Sequence, residues 1–184
     1  MTRIIAAAVV ATCLLPHAAR AQSLPRFSAG VDVGAGLTAQ DENAAGGGLL
    51  TGARVGFDLT PKTTMELSVT RIAHHRDFAG SPISVSGRSI FTGLSLKYDF
   101  TRGRVRPFAV AGYGINNHRH TWTDRDGART RQASSPGYNG GGGVVFRRGR
   151  WEHGPEARFY MLAIDEDSSA AFILTGAYRA SLRF

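Results

Sequence analysis

The 184-residue sequence predicts an all-β chain folded as an eight-stranded antiparallel up-and-down transmembrane β-barrel. Three observations lead there. Beyond residue 25, apolar side chains recur at every second position, the period of a strand, and no stretch keeps the three-to-four spacing of an amphipathic helix. Eight such segments can be drawn, an even number. Their connections alternate between tight turns and longer polar stretches.

Residues 26–37 place Phe27, Val31 and Val33 on one face and Asp32 on the other. Residues 50–59 set Val55, Phe57 and Leu59 against Arg54 and Asp58, and residues 63–72 set Met65, Leu67 and Val69 against Glu66. In residues 86–100, Leu94, Leu96, Tyr98 and Phe100 oppose Lys97 and Asp99. In residues 106–116, Pro107 to Gly114 are apolar on both faces, so hydropathy leaves the strand's parity open; Phe108 and Val110 are assigned to the apolar outer face. Residues 138–146 contain Gly140 to Gly143 and end on Phe146, glycines that let crowded neighbouring strands curve and interdigitate. Residues 152–164 oppose Phe159 and Met161 to Glu156 and Arg158. The last segment, 171–184, partitions most sharply: Phe172, Leu174, Tyr178, Leu182 and Phe184 share one face, Arg179 and Arg183 the other.

Residues 60–62, 101–104 and 147–150 are the tight turns; 38–48, 73–84, 117–137 and 165–169 are the loops at the opposite rim. Short turns at one end and longer loops at the other are the asymmetry of a bacterial outer-membrane barrel. The polar face carries Asp32, Arg54, Asp58, Glu66, Lys97, Asp99, Glu156, Arg158, Arg179 and Arg183, five acids and five bases. A soluble barrel of the lipocalin type shows the same alternation, but a solvated face has no need of charge balance, whereas charges lining a narrow lumen must pair. The aromatic residues Phe27, Phe57, Tyr98, Phe100, Phe108, Phe146, Trp151 and Phe184 gather near the short-turn rim, as an interfacial girdle does.

Residues 1–21 read as a secretory signal peptide: Arg3, an apolar run from Ile4 to Leu15, Pro16, then Ala19-Arg20-Ala21, with the barrel domain spanning 22–184. That run falls short of the about 18 apolar residues that a spanning helix needs. Cleavage removes Arg3 and Arg20 and lowers the net charge from +8 to +6. It also discards Cys13, the one cysteine, and with it disulfides, thiolate metal sites and cysteine catalysis. A lipoprotein acceptor is the competing role for Cys13, but Val10-Ala11-Thr12 is the wrong approach to one. The 42% hydrophobic, 20% charged composition excludes an acidic disordered tail and a bundle of membrane helices. The basic balance raises nucleic acid as a partner, which export to the envelope argues against.

The C-terminal Tyr178-Arg179-Ala180-Ser181-Leu182-Arg183-Phe184 resembles the aromatic-ended signal read by the barrel-assembly machinery, with Tyr178, Leu182 and Phe184 as its outward residues. Residues 105–114, VRPFAVAGYG, are similar to the fifth strand of the OmpA/OmpX-type eight-stranded outer-membrane barrels of Gram-negative bacteria. The resemblance covers essentially the whole chain after residue 21. It implies a monomer in the outer membrane with a side-chain-filled lumen, a structural or surface-interaction role, and outer-membrane lipid and lipopolysaccharide as surroundings. The longer members' peptidoglycan-binding activity is not carried over.

Two alternatives belong beside it. A narrow porin-like channel for small solutes would need an open lumen. A lipopolysaccharide-modifying enzyme would need a serine activated by a histidine, yet His74, His75, His118 and His120 fall in or beside loops and His153 lies at the other rim. No catalytic residue and no cofactor is assigned. His118 and His120 could share a face and be approached by His74-His75, but Arg76 and Arg119 oppose a cation, so they read as solvated loop histidines and no metal is assigned. The third long loop collects Arg119, Trp122, Arg125, Arg129 and Arg131, donors suited to lipopolysaccharide phosphates. The basic stretches 102–106 and 147–150 are expected to meet periplasmic phospholipid head groups or peptidoglycan-side polyanions. N-terminal sequencing of the exported protein should begin at Gln22; a retained Met1 would contradict the signal-peptide assignment.

Overall fold

A computed structural model describes residues 26–40, 44–77, 84–124, 127–163 and 170–184. Eight strands follow one another in chain order: β1 Phe27–Gln40, β2 Ala44–Asp58, β3 Thr63–Asp77, β4 Ser84–Asp99, β5 Val105–Asp124, β6 Gly127–Arg148, β7 Trp151–Ala163 and β8 Ala170–Arg183. Each pairs antiparallel with its sequence neighbours, and β1 also pairs with β8, so the sheet closes. Closure leaves no edge strand and satisfies the ladder within the chain, which is the condition for crossing a bilayer with strands.

Alternation becomes inside and outside. Val31, Val33, Val55, Leu67, Val69, Leu94, Leu96, Phe159 and Leu174 are exposed on the outer surface, while the charged positions between them are buried. Phe27 and Phe57 pack at 5.2 Å between centroids, and Tyr98 and Phe100 at 5.5 Å, on the outer face of the short-turn rim.

The short turns are tied locally. Thr60 Oγ1 accepts from the amides of Lys62 and Thr63 at 3.2 and 2.9 Å. Gly149 takes φ +62°, a left-handed conformation that an L side chain adopts only with strain, to reverse the chain between β6 and β7. The chain end is held by the Phe184 amide donating to the Phe27 carbonyl at 2.8 Å.

Two sequence expectations are corrected. Strand five is in the opposite phase: Phe108 and Val110 are buried in the lumen, not exposed to lipid, and Arg106 points inward with them. Register explains it, since Phe108 lies directly across from Asp99 and Val110 from Lys97, and directly paired residues share a face. Phe108 therefore leaves the aromatic girdle.

The strands also extend further toward the loop rim than hydropathy indicates. The expected loop 117–137 is almost entirely a paired ribbon, with Asn117↔Ser134 through Asp124↔Gly127 continuing the β5–β6 ladder. Polar residues such as Thr121 and Thr130, whose hydroxyls meet at 3.0 Å, carry no hydrophobic alternation to reveal a strand, but their backbones pair all the same. Phe108→Ala should cost about 3–5 kcal/mol of unfolding free energy, as a core truncation does. Outward Phe100→Ala should cost clearly less, read from urea titrations followed by the mobility difference between boiled and unboiled samples; equal costs would contradict the inward placement.

Candidate functional site

The lumen is lined by charge. Asp32 on β1, Arg54 on β2, Glu66 on β3, Lys97 and Asp99 on β4, Glu156 and Arg158 on β7, and Arg179 and Arg183 on β8 are buried, and Asp58 on β2 is partly so. They resolve into two layers.

The central layer contains three acids and three bases. Arg54 pairs with Asp32, and its Nη1 reaches Glu66 at 3.2 Å and Glu156 at 3.1 Å. Arg179 bridges the same two glutamates, at 2.6 Å to Glu66 and 2.9 Å to Glu156. Arg158 contacts Glu156 at 2.7 Å and Glu66 at 3.8 Å. Strands β3 and β7 are four places apart in the ring of eight, so the Arg158–Glu66 contact spans the barrel from one wall to the opposite one. The guanidinium forks suit this sharing, because each offers several donors in one plane.

The second layer lies next to the short turns. Lys97 Nζ contacts Asp99 at 2.8 Å, and Arg106 reaches Asp99 at 3.4 Å and Glu152 at 3.9 Å. Arg183 joins Glu152 at 3.0 Å and also pairs with Asp58. Arg106 and Glu152 are lumen residues that the sequence reading misses. Glu152 carries a usable signal, since it lies four residues before Glu156 and so on the same face of one strand. Arg106 is hidden by the unphased strand around it, which makes it look like part of a basic turn.

Between the layers stands an aromatic ring. Lys97 Nζ lies 5.2 Å and the Arg179 guanidinium carbon 5.0 Å from the Phe108 centroid, a cation–π arrangement on both. Space for the ring comes from Gly143, where an added Cβ would stand 3.0 Å from Phe108 Cε1 and collide with the Pro155 carbonyl. Toward the loop rim, Leu50, Ile72, Phe91, Tyr160, Leu162 and Ile173 form a buried apolar collar, with Phe91 and Tyr160 edge to face at 4.9 Å. The lumen thus passes from charged to apolar along its axis.

The basic residues of the loop rim are arranged differently from a loop cluster. Arg119 lies on β5 and Arg129 and Arg131 on β6, and all three are exposed. Arg119 shares the outward parity of Thr121, whereas Arg129 and Arg131 share the inward parity of Ser135 and Asn139, so the ribbon presents cations on both faces. Trp122 belongs to β5, with its side chain outside the described residues, as is Arg125 altogether. At the other end Tyr178 and Phe184 are exposed outward and Leu182 is half-buried on the same face. No group of three His, Cys, Asp or Glu among the described residues could hold a metal.

Comparison with known proteins agrees with this architecture. A family model for the outer membrane protein beta-barrel domain matches residues 4–169. A search of curated protein sequences finds no match. Among solved structures, Neisserial surface protein A superposes with a TM-score of 0.67 at 14% identity, covering 86% of this chain and 97% of that one. Ail, the attachment invasion locus protein of Yersinia pestis, gives 0.61 at 13% identity, covering 87% and 99%. Ail in complex with the heparin analogue sucrose octasulfate gives 0.56 at 12% identity, covering 87% and 99%. A major outer membrane protein of Thermus thermophilus gives 0.57 at 15% identity, covering 88% and 100%.

Removing one member of the central layer strands the rest. Glu66→Ala leaves Arg54, Arg158 and Arg179 with two acids between them, and should destabilise the barrel by about 3–5 kcal/mol. A urea titration checks this; a change under about 1 kcal/mol would contradict a desolvated network.

Proposed function

The chain belongs to the outer membrane protein beta-barrel domain family, and from that premise we propose that it is a non-catalytic, monomeric barrel whose role is structural and surface-directed, exercised through the β5–β6 ribbon. The observation that carries this reading is the ribbon itself. Strands β5 and β6 have 20 and 22 residues, whereas the other six have 13 to 16. Among the described residues the hairpin therefore continues past β7, whose pairs with β6 begin at Gly137↔Leu162, while β4 accompanies β5 as far as Ser84↔Thr123, and it carries Arg119, Arg129 and Arg131.

Rigidly spaced guanidinium groups suit multivalent phosphate or sulfate, because little side-chain and backbone freedom is lost on binding. The lipopolysaccharide phosphates around the ribbon are the ligand of choice. Ail, alike in fold, is seen with a sulfated sugar analogue; for this chain the argument rests on its own arginines. Nucleic acid is not proposed as a partner. Residues 1–21 would serve export, and Tyr178, Leu182 and Phe184 would present the assembly signal.

The lumen favours this reading over a channel. A salt-bridge layer spanning the barrel and an apolar collar above it are successive obstacles to a hydrated ion. In planar bilayers the protein should show no steady conductance, and a stable open level would overturn the closed-lumen reading. Replacing Arg119, Arg129 and Arg131 together by alanine should weaken binding to lipopolysaccharide-containing vesicles by about a hundredfold, at about 1 kcal/mol for each basic residue. Unchanged binding by a variant with normal unboiled mobility would remove the ribbon from the proposal.

A further inference from the structure

The outer face of the barrel, at the short-turn rim, holds a groove of about 540 Å³ lined by Arg148, Trp151, His153 and Ala180. Its origin is a gap in side-chain height. On β8 the outward row runs Tyr178, Ala180, Leu182, and on β7 Trp151, His153, Pro155; Ala180 pairs with His153 and Trp151 with Leu182. The small Ala180 leaves a hollow between taller neighbours. His153 is held in it, its Nδ1 2.5 Å from the Tyr178 hydroxyl and its ring 6.0 Å from that of Phe146.

We propose that this groove binds an anionic glycerophospholipid of the periplasmic leaflet, with its phosphate at Arg148 and His153 and its acyl chains along the apolar outer strands. Three observations select that occupant. The surroundings are bilayer-facing: Trp151, Tyr178 and Phe146 are exposed aromatics at the rim where head groups lie. The chemistry is complementary, since Arg148 makes no ion pair among the described residues, whereas the adjacent Arg147 turns toward Glu152 at 3.8 Å. When the Tyr178 hydroxyl donates to Nδ1, the ring proton of His153 is on Nε2, a second donor beside the guanidinium.

Another turn on the same rim shows the contrast. Lys62 lies 5.8 Å from the Tyr98 centroid, but its Nζ donates to the Phe100 carbonyl at 3.2 Å, so that cation is already engaged. Arg148 has an aromatic wall, a hollow and no competing carboxylate among the described residues, which is the combination a phosphate monoanion with two acyl chains requires.

The sequence has two tryptophans, so Trp122→Phe makes Trp151 the sole reporter. This variant would be refolded into phosphatidylcholine bilayers containing either dibrominated phosphatidylglycerol or dibrominated phosphatidylcholine, and Trp151 quenching measured. Phosphatidylglycerol should be preferred at the groove by about fivefold, the effect of about 1 kcal/mol for one basic residue at the surface. Arg148→Ala should abolish the preference by removing the donor, and Ala180→Leu by filling the hollow. Arg102→Ala, at a different turn, should leave it intact. Equal quenching by the two lipids, persistence of the preference in both groove variants with normal unboiled mobility, or an equal loss with Arg102→Ala would each overturn the proposal.

Discussion

A backbone crossing hydrocarbon must satisfy its own amides and carbonyls, and this chain does so with one closed ladder in which β1 returns to β8. Closure at eight strands has a second consequence. Half of all side chains are sent into an interior only wide enough to be filled by them. Whatever the sequence places on that face has to pack and pair there, and whatever it places on the other meets lipid.

The lumen charges follow from that constraint. Neither central nor rim-side glutamate has one dedicated base: Glu66 is shared by Arg54, Arg158 and Arg179, and Glu152 by Arg106, Arg183 and Arg147. Sharing of this kind brings Glu66, Glu152 and Glu156 each within reach of several counter-charges. Relative to apolar filling it is weak evidence for net stability, but it makes the loss of any one member costly. Phe108 and Gly143 belong to the same solution, a ring between two cations and the space that admits it.

The proposed functions divide along the barrel axis, because the interior is occupied and the two rims and the outer wall are the surfaces left. One rim continues β5 and β6 into a basic ribbon; the other combines aromatic side chains with the Arg148–His153 hollow. Positive charge outside the balanced lumen thus lies at the two rims, which gives the excess in the sequence a physical location.

Much of this was legible in the sequence by itself. Alternation, the count of strands, the tight turns and ten lumen charges follow from a period of two, because a buried polar face and a lipid-exposed apolar face are written into adjacent letters. Where that contrast vanishes, so does the information. Residues 107–114 are apolar on both faces and do not state their phase, and residues 117–136 are largely polar and do not announce themselves as strand. Tertiary pairing decided both: Asp99 across from Phe108 turned Phe108 and Arg106 inward, and the β5–β6 register carried the ladder into the expected loop. Which acid meets which base was also decided there, since partners such as Arg54 and Glu156 are 102 residues apart and meet only because the sheet closes.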